Sequence, residues 1–232
     1  MARIILFFFF FFFFEPLFGQ ELLKDISLGK AGFGNSGQQC FACGNLGYFT
    51  VSDEKGTELW KTDGTANGTS RIADINPGLA SSIVRFNPKC KNGTLYFTAT
   101  DGLGLSLWKT DGTFSGAIKI SSQPVTSDVH IYNDHIIFLS GDQLWISDGT
   151  SNGTSMMFEM QGMISQKIFA GVTYLYFSVS NVLGNEELWR TDGTPSGTIL
   201  IKEVKINLSG VYGYEAAGKF LFNAVFQSHG TE

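Results

Sequence analysis

The chain has 232 residues, enough for one sizeable domain or one repeat array. Charged residues make up 16%, aromatics 14%, and 28 positions are glycine, a balance that suits an all-β protein rich in turns and argues against one built on solvated helices. The net charge is −5 with no cluster of lysine and arginine, which excludes the basic footprint a nucleic-acid partner requires.

The N-terminal residues stand apart. Arg3 supplies a positive charge, and residues 4–14 are an unbroken apolar run that includes eight consecutive phenylalanines. Glu15 and Pro16 end the run, and Leu17, Phe18 and Gly19 lead to Gln20. This is the layout of a secretory signal peptide over residues 1–19, with cleavage expected after Gly19. The alternative is an uncleaved anchor, but the run is shorter than the roughly 20 residues that span a bilayer. No later segment is apolar enough to cross a membrane, so residues 20–232 are expected to contain no transmembrane segment.

Along that region one phrase recurs four times. It reads Leu59-Trp60-Lys61-Thr62-Asp63-Gly64-Thr65 and Leu107-Trp108-Lys109-Thr110-Asp111-Gly112-Thr113. It returns as Leu144-Trp145-Ile146-Ser147-Asp148-Gly149-Thr150 and Leu188-Trp189-Arg190-Thr191-Asp192-Gly193-Thr194. A phrase returning about every 43 residues marks a repeat architecture. Each unit carries four short strand signals. The first is weak, at residues 83–86, 164–169 and 210–214. The second is aromatic, at residues 47–51, 95–99, 135–139, 175–179 and 220–224. The third is the Leu-Trp phrase itself, and the fourth follows it, at residues 69–75, 117–120, 154–160 and 198–204. Asp-Gly between the third and fourth reads as a tight hairpin turn. No helical apolar period appears beyond the leader.

Adjacent apolar pairs such as Leu-Trp and Tyr-Phe point to opposite faces of a strand, so both faces of each small sheet must be covered. Four-stranded antiparallel sheets covered by copies of themselves describe the blades of a β-propeller. A β-solenoid is the alternative. Residues 21–26 resemble a fourth strand without its first three, and the last residues stop where a fifth phrase would continue. The expectation is about four full units with partial ones at both ends, as in a fragment or an incomplete propeller.

The phrase Glu58-Leu59-Trp60-Lys61-Thr62-Asp63-Gly64-Thr65, its three variants and the trailing Gly-Thr-x-x-x-x-Asp-Ile of residues 68–75 resemble the ELWxxDGT repeat proteins, and more loosely the repeat of TolB-type propellers. The resemblance covers essentially the whole region after the leader. It implies a secreted bacterial protein and brings no catalytic residues. Ser106 and Gln143 depart from the glutamate before Leu-Trp, and Ala117 from the later threonine.

Candidates for chemistry are few. The repeated aspartates Asp63, Asp111, Asp148 and Asp192 lack the spacing of a calcium loop and read as turn residues. Loops at Asp53-Glu54, Asp101-Gly102 and residues 181–187 could offer carbonyls to a cation. His130 and His135 read as partly exposed turn residues. Arg71, Arg85 and Arg190 match in number the arginine triad of sialidase-like propellers, although Arg190 occupies the repeat position of Lys61, Lys109 and Ile146. Trp60, Trp108, Trp145 and Trp189 read as packing between blades, with sugar stacking as the competing role. Cys40, Cys43 and Cys90 allow three pairings, and a cross-repeat bond between Cys43 and Cys90 is one hypothesis. No catalytic, cofactor or metal residue is assigned. The expected role is a binding or scaffold module for a protein or glycan ligand, acting through loops at one end of the ring. The alternative is a polysaccharide hydrolase or lyase with its site at the ring centre.

Overall fold

The computed structural model describes residues 40–113, 116–160, 162–181, 183, 186–204, 213–216 and 219–222. Residues 1–19, expected to be a leader, and residues 21–26 lie outside them, as do residues 210–212 and 223–224 of two expected strands. All regular structure in the described residues is β. Strands β1 (Phe41–Cys43), β2 (Leu46–Asp53), β3 (Gly56–Thr62) and β4 (Ser70–Arg71) form one antiparallel sheet in chain order. The second sheet holds β5 (Lys89–Lys91), β6 (Thr94–Thr100), β7 (Leu105–Thr110) and β8 (Ile118–Lys119). The third holds β9 (His130–Tyr132), β10 (His135–Ser140), β11 (Gln143–Ser147) and β12 (Thr154–Glu159). The fourth holds β13 (Gly162–Ala170), β14 (Leu175–Asn181), β15 (Glu186–Thr191) and β16 (Ile199–Val204). A hairpin of β17 (Gly213–Ala216) and β18 (Lys219–Phe222) follows.

The paired apolar residues do what the pleat demands. Phe97 and Trp108 enter a core with Tyr48, Leu59 and Ile83 between the first two sheets, whereas Tyr96 and Leu107 enter the next core with Ile136 and Phe138. Ile137 and Leu139 in turn meet Leu175 and Phe177 of the fourth sheet. Strands β6, β7 and β10 each feed two cores, so the sheets of the inner blades are packed on both faces. The first strands β1, β5, β9, β13 and β17 follow one another as neighbours, and a disulfide joins Cys43 of β1 to Cys90 of β5 across a Cα separation of 5.4 Å. This is the inner rim of a β-propeller, with four full blades in the described residues and the third strands carrying the Leu-Trp phrase.

Two local readings of the sequence need correction. Residues 83–86 form no strand; the first strand of the second blade is Lys89–Lys91. Ile83 is buried, but its N–H bonds Thr57 O (3.0 Å) and Thr100 N–H bonds Ser82 O (2.9 Å), so the segment bridges two blades rather than joining a ladder. Beside it the Glu58 carboxylate, itself buried, accepts the Ser82 N–H (3.1 Å) and Oγ–H (2.5 Å). Burial pushes the Glu58 carboxyl pKa up, opposed by those two bonds. The tight hairpin turns also lie elsewhere. Asn92-Gly93 and Asn133-Asp134, between first and second strands, hold positive φ at both residues (51° and 76°; 45° and 59°), as a two-residue hairpin requires. Within each Asp-Gly-Thr triplet only the glycine is left-handed.

Candidate functional site

The repeated phrase builds a turn that consumes its own polar groups. Asp63 Oδ1 accepts the Thr65 N–H (2.8 Å) and hydroxyl (2.7 Å). Asp111, Asp148 and Asp192 do the same with Thr113, Thr150 and Thr194. The Thr65 hydroxyl in turn accepts the Gly68 N–H (2.9 Å), and its carbonyl accepts the Thr69 hydroxyl (2.7 Å). A Cβ on Gly68, Gly153 or Gly197 would fall 1.9–2.2 Å from the aspartate carboxylate, which explains the second glycine of those three turns; in the second blade Gly116 is instead left-handed, at φ 80°. These bonds, the threonine hydroxyl first, hold all four aspartates below the usual carboxylate range.

The turns of the second, third and fourth blades also dock on the blade before. Gly112 sits against Leu46 and Tyr48, and Gly149 against Tyr96. The Lys109 ammonium donates to Gly149 O (2.6 Å), and Lys61 donates to Gly112 O. The lysine of the repeated phrase is thus an inter-blade latch. Ile146 cannot supply one, and at that junction Asn133 donates to Asp192 O instead (3.4 Å). The latches were missed because their partner is a backbone carbonyl in the next repeat.

The tryptophans divide by context. Trp108 is buried in the first core. Trp145 and Trp189 are half-buried and lie against Phe138 and Phe158, at 6.3 and 5.8 Å between ring centroids. Their indole N–H groups donate to Gln143 Oε1 (3.2 Å) and Glu187 Oε2 (2.9 Å). Trp60 is half-buried as well.

The three arginines do not converge. Arg71 pairs with Asp74 (3.4 Å), Arg85 with Asp128 (3.8 Å), and Arg190 lies 4.0 Å over the Tyr174 ring in the fourth blade. Among the described residues no three His, Cys, Asp or Glu side chains are grouped to hold a metal.

The antiparallel meander puts the β2–β3 type loops and the links between blades at one end. Gly102, in the β6–β7 loop, lies against Asn76 in the link from the first blade to the second. That end presents Leu79, Leu103 and Leu183 at 82%, 87% and 81% exposure. The other end carries the Asp-Gly-Thr turns.

His130 and His135 lie on adjoining strands rather than in a turn, His135 exposed and His130 half-buried. Burial, then the Lys89 ammonium, push His130 down to about 4, with Asp128 opposing. The folded pKa lies below the unfolded value of about 6.5, so between these values the unfolded chain binds the proton and the folded one does not. Stability is expected to fall by about 2–3 kcal/mol as pH drops from 6.5 to 4. Urea unfolding of wild type and His130→Asn across this range checks it; an unchanged slope in the variant assigns the loss to another group. The four turn aspartates act lower, their contribution being present above about pH 3.9 and lost as pH falls through their depressed values.

The fold and its sites define a β-propeller of four-stranded blades. No family model matches the chain, and no curated protein sequence does either. Solved structures do. A puromycin hydrolase superposes with a TM-score of 0.51 at 15% identity, over 77% of this chain and 31% of that one. A puromycin-hydrolysing peptidase of Mycobacterium tuberculosis gives 0.51 at 12%, over 72% and 28%. TolB from Acinetobacter baumannii gives 0.48 at 11%, over 78% and 48%. The chain spans about a third to a half of the length of these proteins, and at such identities the likeness concerns the fold.

Proposed function

We propose that this chain is a secreted or cell-surface propeller module of the ELWxxDGT repeat type, with a binding or scaffold role toward a protein or glycan ligand. The observation that carries the role is the set of exposed leucines, Leu79, Leu103 and Leu183, on loops at one end of a rigid array. Aliphatic side chains held in water on short loops are what a recognition face presents. The Cys43–Cys90 bond fits an oxidising compartment, and the apolar run of residues 4–14 supports export.

The test has two readouts. Mass spectrometry of the chain expressed from its first codon in a Gram-negative host reads whether residues 1–19 are removed and where the product resides. Arrays of surface polysaccharides and extracellular proteins then compare wild type with a Leu79→Ser, Leu103→Ser, Leu183→Ser variant. Retention of wild type and loss in the variant, with unchanged melting, is the expected result. Release of new reducing ends or unsaturated products from a polysaccharide would replace the binding module with the hydrolase or lyase reading.

A further inference from the structure

A cleft of about 370 Å³ opens on the side of the array between the second and third blades, lined by Trp145, Lys119, Ser121, Ser122, Gln123 and Ser151, among others. Its volume falls within the ~300–1,000 Å³ of small-ligand sites. Its cause lies in the repeat. After β4 the chain reads Ile72-Ala73-Asp74-Ile75, and after β8 it reads Ile120-Ser121-Ser122-Gln123. The two segments are equivalent, since Ile72 N–H bonds Leu59 O (3.0 Å) and Ile120 N–H bonds Leu107 O (2.8 Å). Ile72 and Ile75 pack into the core that buries Trp108. At the next junction Gln123 stands where Ile75 would be, and Trp145 stays half-uncovered. Trp189, one junction further, is half-buried too, but there the third blade's Phe158 lies 5.8 Å from its ring.

The polar groups around Trp145 define the ligand. Its indole N–H is spent on Gln143, whose own amide donates to Glu159 (3.2 Å), so the ring is fixed and offers carbon surface alone. The Lys119 ammonium is neutralised by Asp101 at 2.9 Å, so the lining carries no uncompensated charge for a phosphate or carboxylate. The hydroxyls of Ser122 and Ser151 and the amide of Gln123 make no hydrogen bond to other described side chains or backbone, and they border the ring. An immobile aromatic face rimmed by free hydroxyl and amide groups matches a pyranose, which has an apolar C–H face and a rim of hydroxyls that both donate and accept. We propose that this cleft is a binding subsite for a neutral saccharide. The inference rests on the binding-module reading but uses a surface separate from the leucine loops.

The experiment follows the indole N–H resonances of the full chain, ¹⁵N-labelled at its four tryptophans, during titration with neutral gluco-, manno-, xylo- and galacto-tetraoses. Trp145→Phe identifies the resonance. The expected result is a saturable shift at Trp145 with at least one sugar, and an affinity for that sugar, read by calorimetry, that Trp145→Phe lowers about three- to tenfold. The variant Ser122→Asp, Gln123→Ile restores the repeat's own residues and is expected to close the cleft and weaken the sugar at least as much while leaving the fold intact. No shift at Trp145 with any sugar at its solubility limit overturns the proposal, as does a shift that the closed variant leaves undiminished, or one produced by an extended peptide and by none of the sugars. The leucine variant separates the two readings. If it loses its array ligand while the tetraoses never move Trp145, the cleft alone fails; if the sugars bind and no array ligand depends on the leucines, the loop reading fails.

Discussion

Loss of the Cys43–Cys90 bond is expected to lower folding stability by about 4 kcal/mol. The bridge closes a sequence separation of 47 residues, and the chain-entropy relation for a loop of that size gives this magnitude. Its position raises its importance. It ties β1 to β5, two strands of three residues each, and each of them is hydrogen-bonded along one side only, to β2 and β6. Without it the inner rim of the first two blades depends on the apolar contacts of Tyr48, Leu95 and Phe97 behind it. Urea unfolding of the Cys43→Ser, Cys90→Ser variant should give a lower midpoint than oxidised wild type and match wild type under strong reductant. Cys40, an exposed free thiol, is the control: Cys40→Ser should leave stability unchanged. A double-cysteine variant within about 1 kcal/mol of wild type would show that packing alone holds the rim.

The architecture was legible because it repeats. Four copies of one phrase placed the third strands, and the adjacent pairs Tyr96-Phe97 and Leu107-Trp108 showed that both sheet faces are covered. The expected first strand at residues 164–169 lies within β13, but that of the second blade was misplaced for a physical reason. Lys89-Cys90-Lys91 is short and polar, and it is a strand because it is held by β6 and by a disulfide, neither of which is local in sequence. The apolar segment at residues 83–86 looked like the better strand, but Ile83 faces a core shared by two blades while Val84 is exposed at 68% and unpaired. Contacts made to the next repeat were equally hidden. A lysine read in isolation shows no reason to bond a glycine carbonyl some forty residues on, as Lys109 does with Gly149. The cleft at Trp145 was not legible, because Ser122-Gln123 in place of Asp-Ile gains meaning only once Ile75 is seen in the core that buries Trp108.

The same dependence on neighbours predicts unequal effects at four positions that look identical in sequence. Gly64, Gly112, Gly149 and Gly193 all hold φ near +80° to +94°, so alanine at each costs roughly 1–2 kcal/mol of left-handed strain. A Cβ at Gly64 meets nothing within 4 Å among the described residues, and at Gly193 it meets Tyr132 at 3.8 Å, an ordinary contact. At Gly149 it would lie 2.6 Å from the Tyr96 hydroxyl and 3.2 Å from its ring, and Tyr96 is buried in the second core with no room to withdraw. At Gly112 it would meet Leu46 at 2.3 Å and the buried Tyr48 hydroxyl at 2.9 Å. Overpacking of this kind adds about 1–3 kcal/mol, and any shift of the turn away from the tyrosine also strains the Lys109 bond to the Gly149 carbonyl. Gly112→Ala and Gly149→Ala are therefore expected to cost about 2–5 kcal/mol, and Gly64→Ala and Gly193→Ala about 1–2 kcal/mol, read as urea midpoints at constant slope. Truncating the tyrosine with Tyr96→Leu should recover part of the Gly149→Ala loss and none of the Gly64→Ala loss. Equal losses at all four glycines would mean that the turn's own conformation governs, and that blade-to-blade docking through this tyrosine contributes nothing to stability.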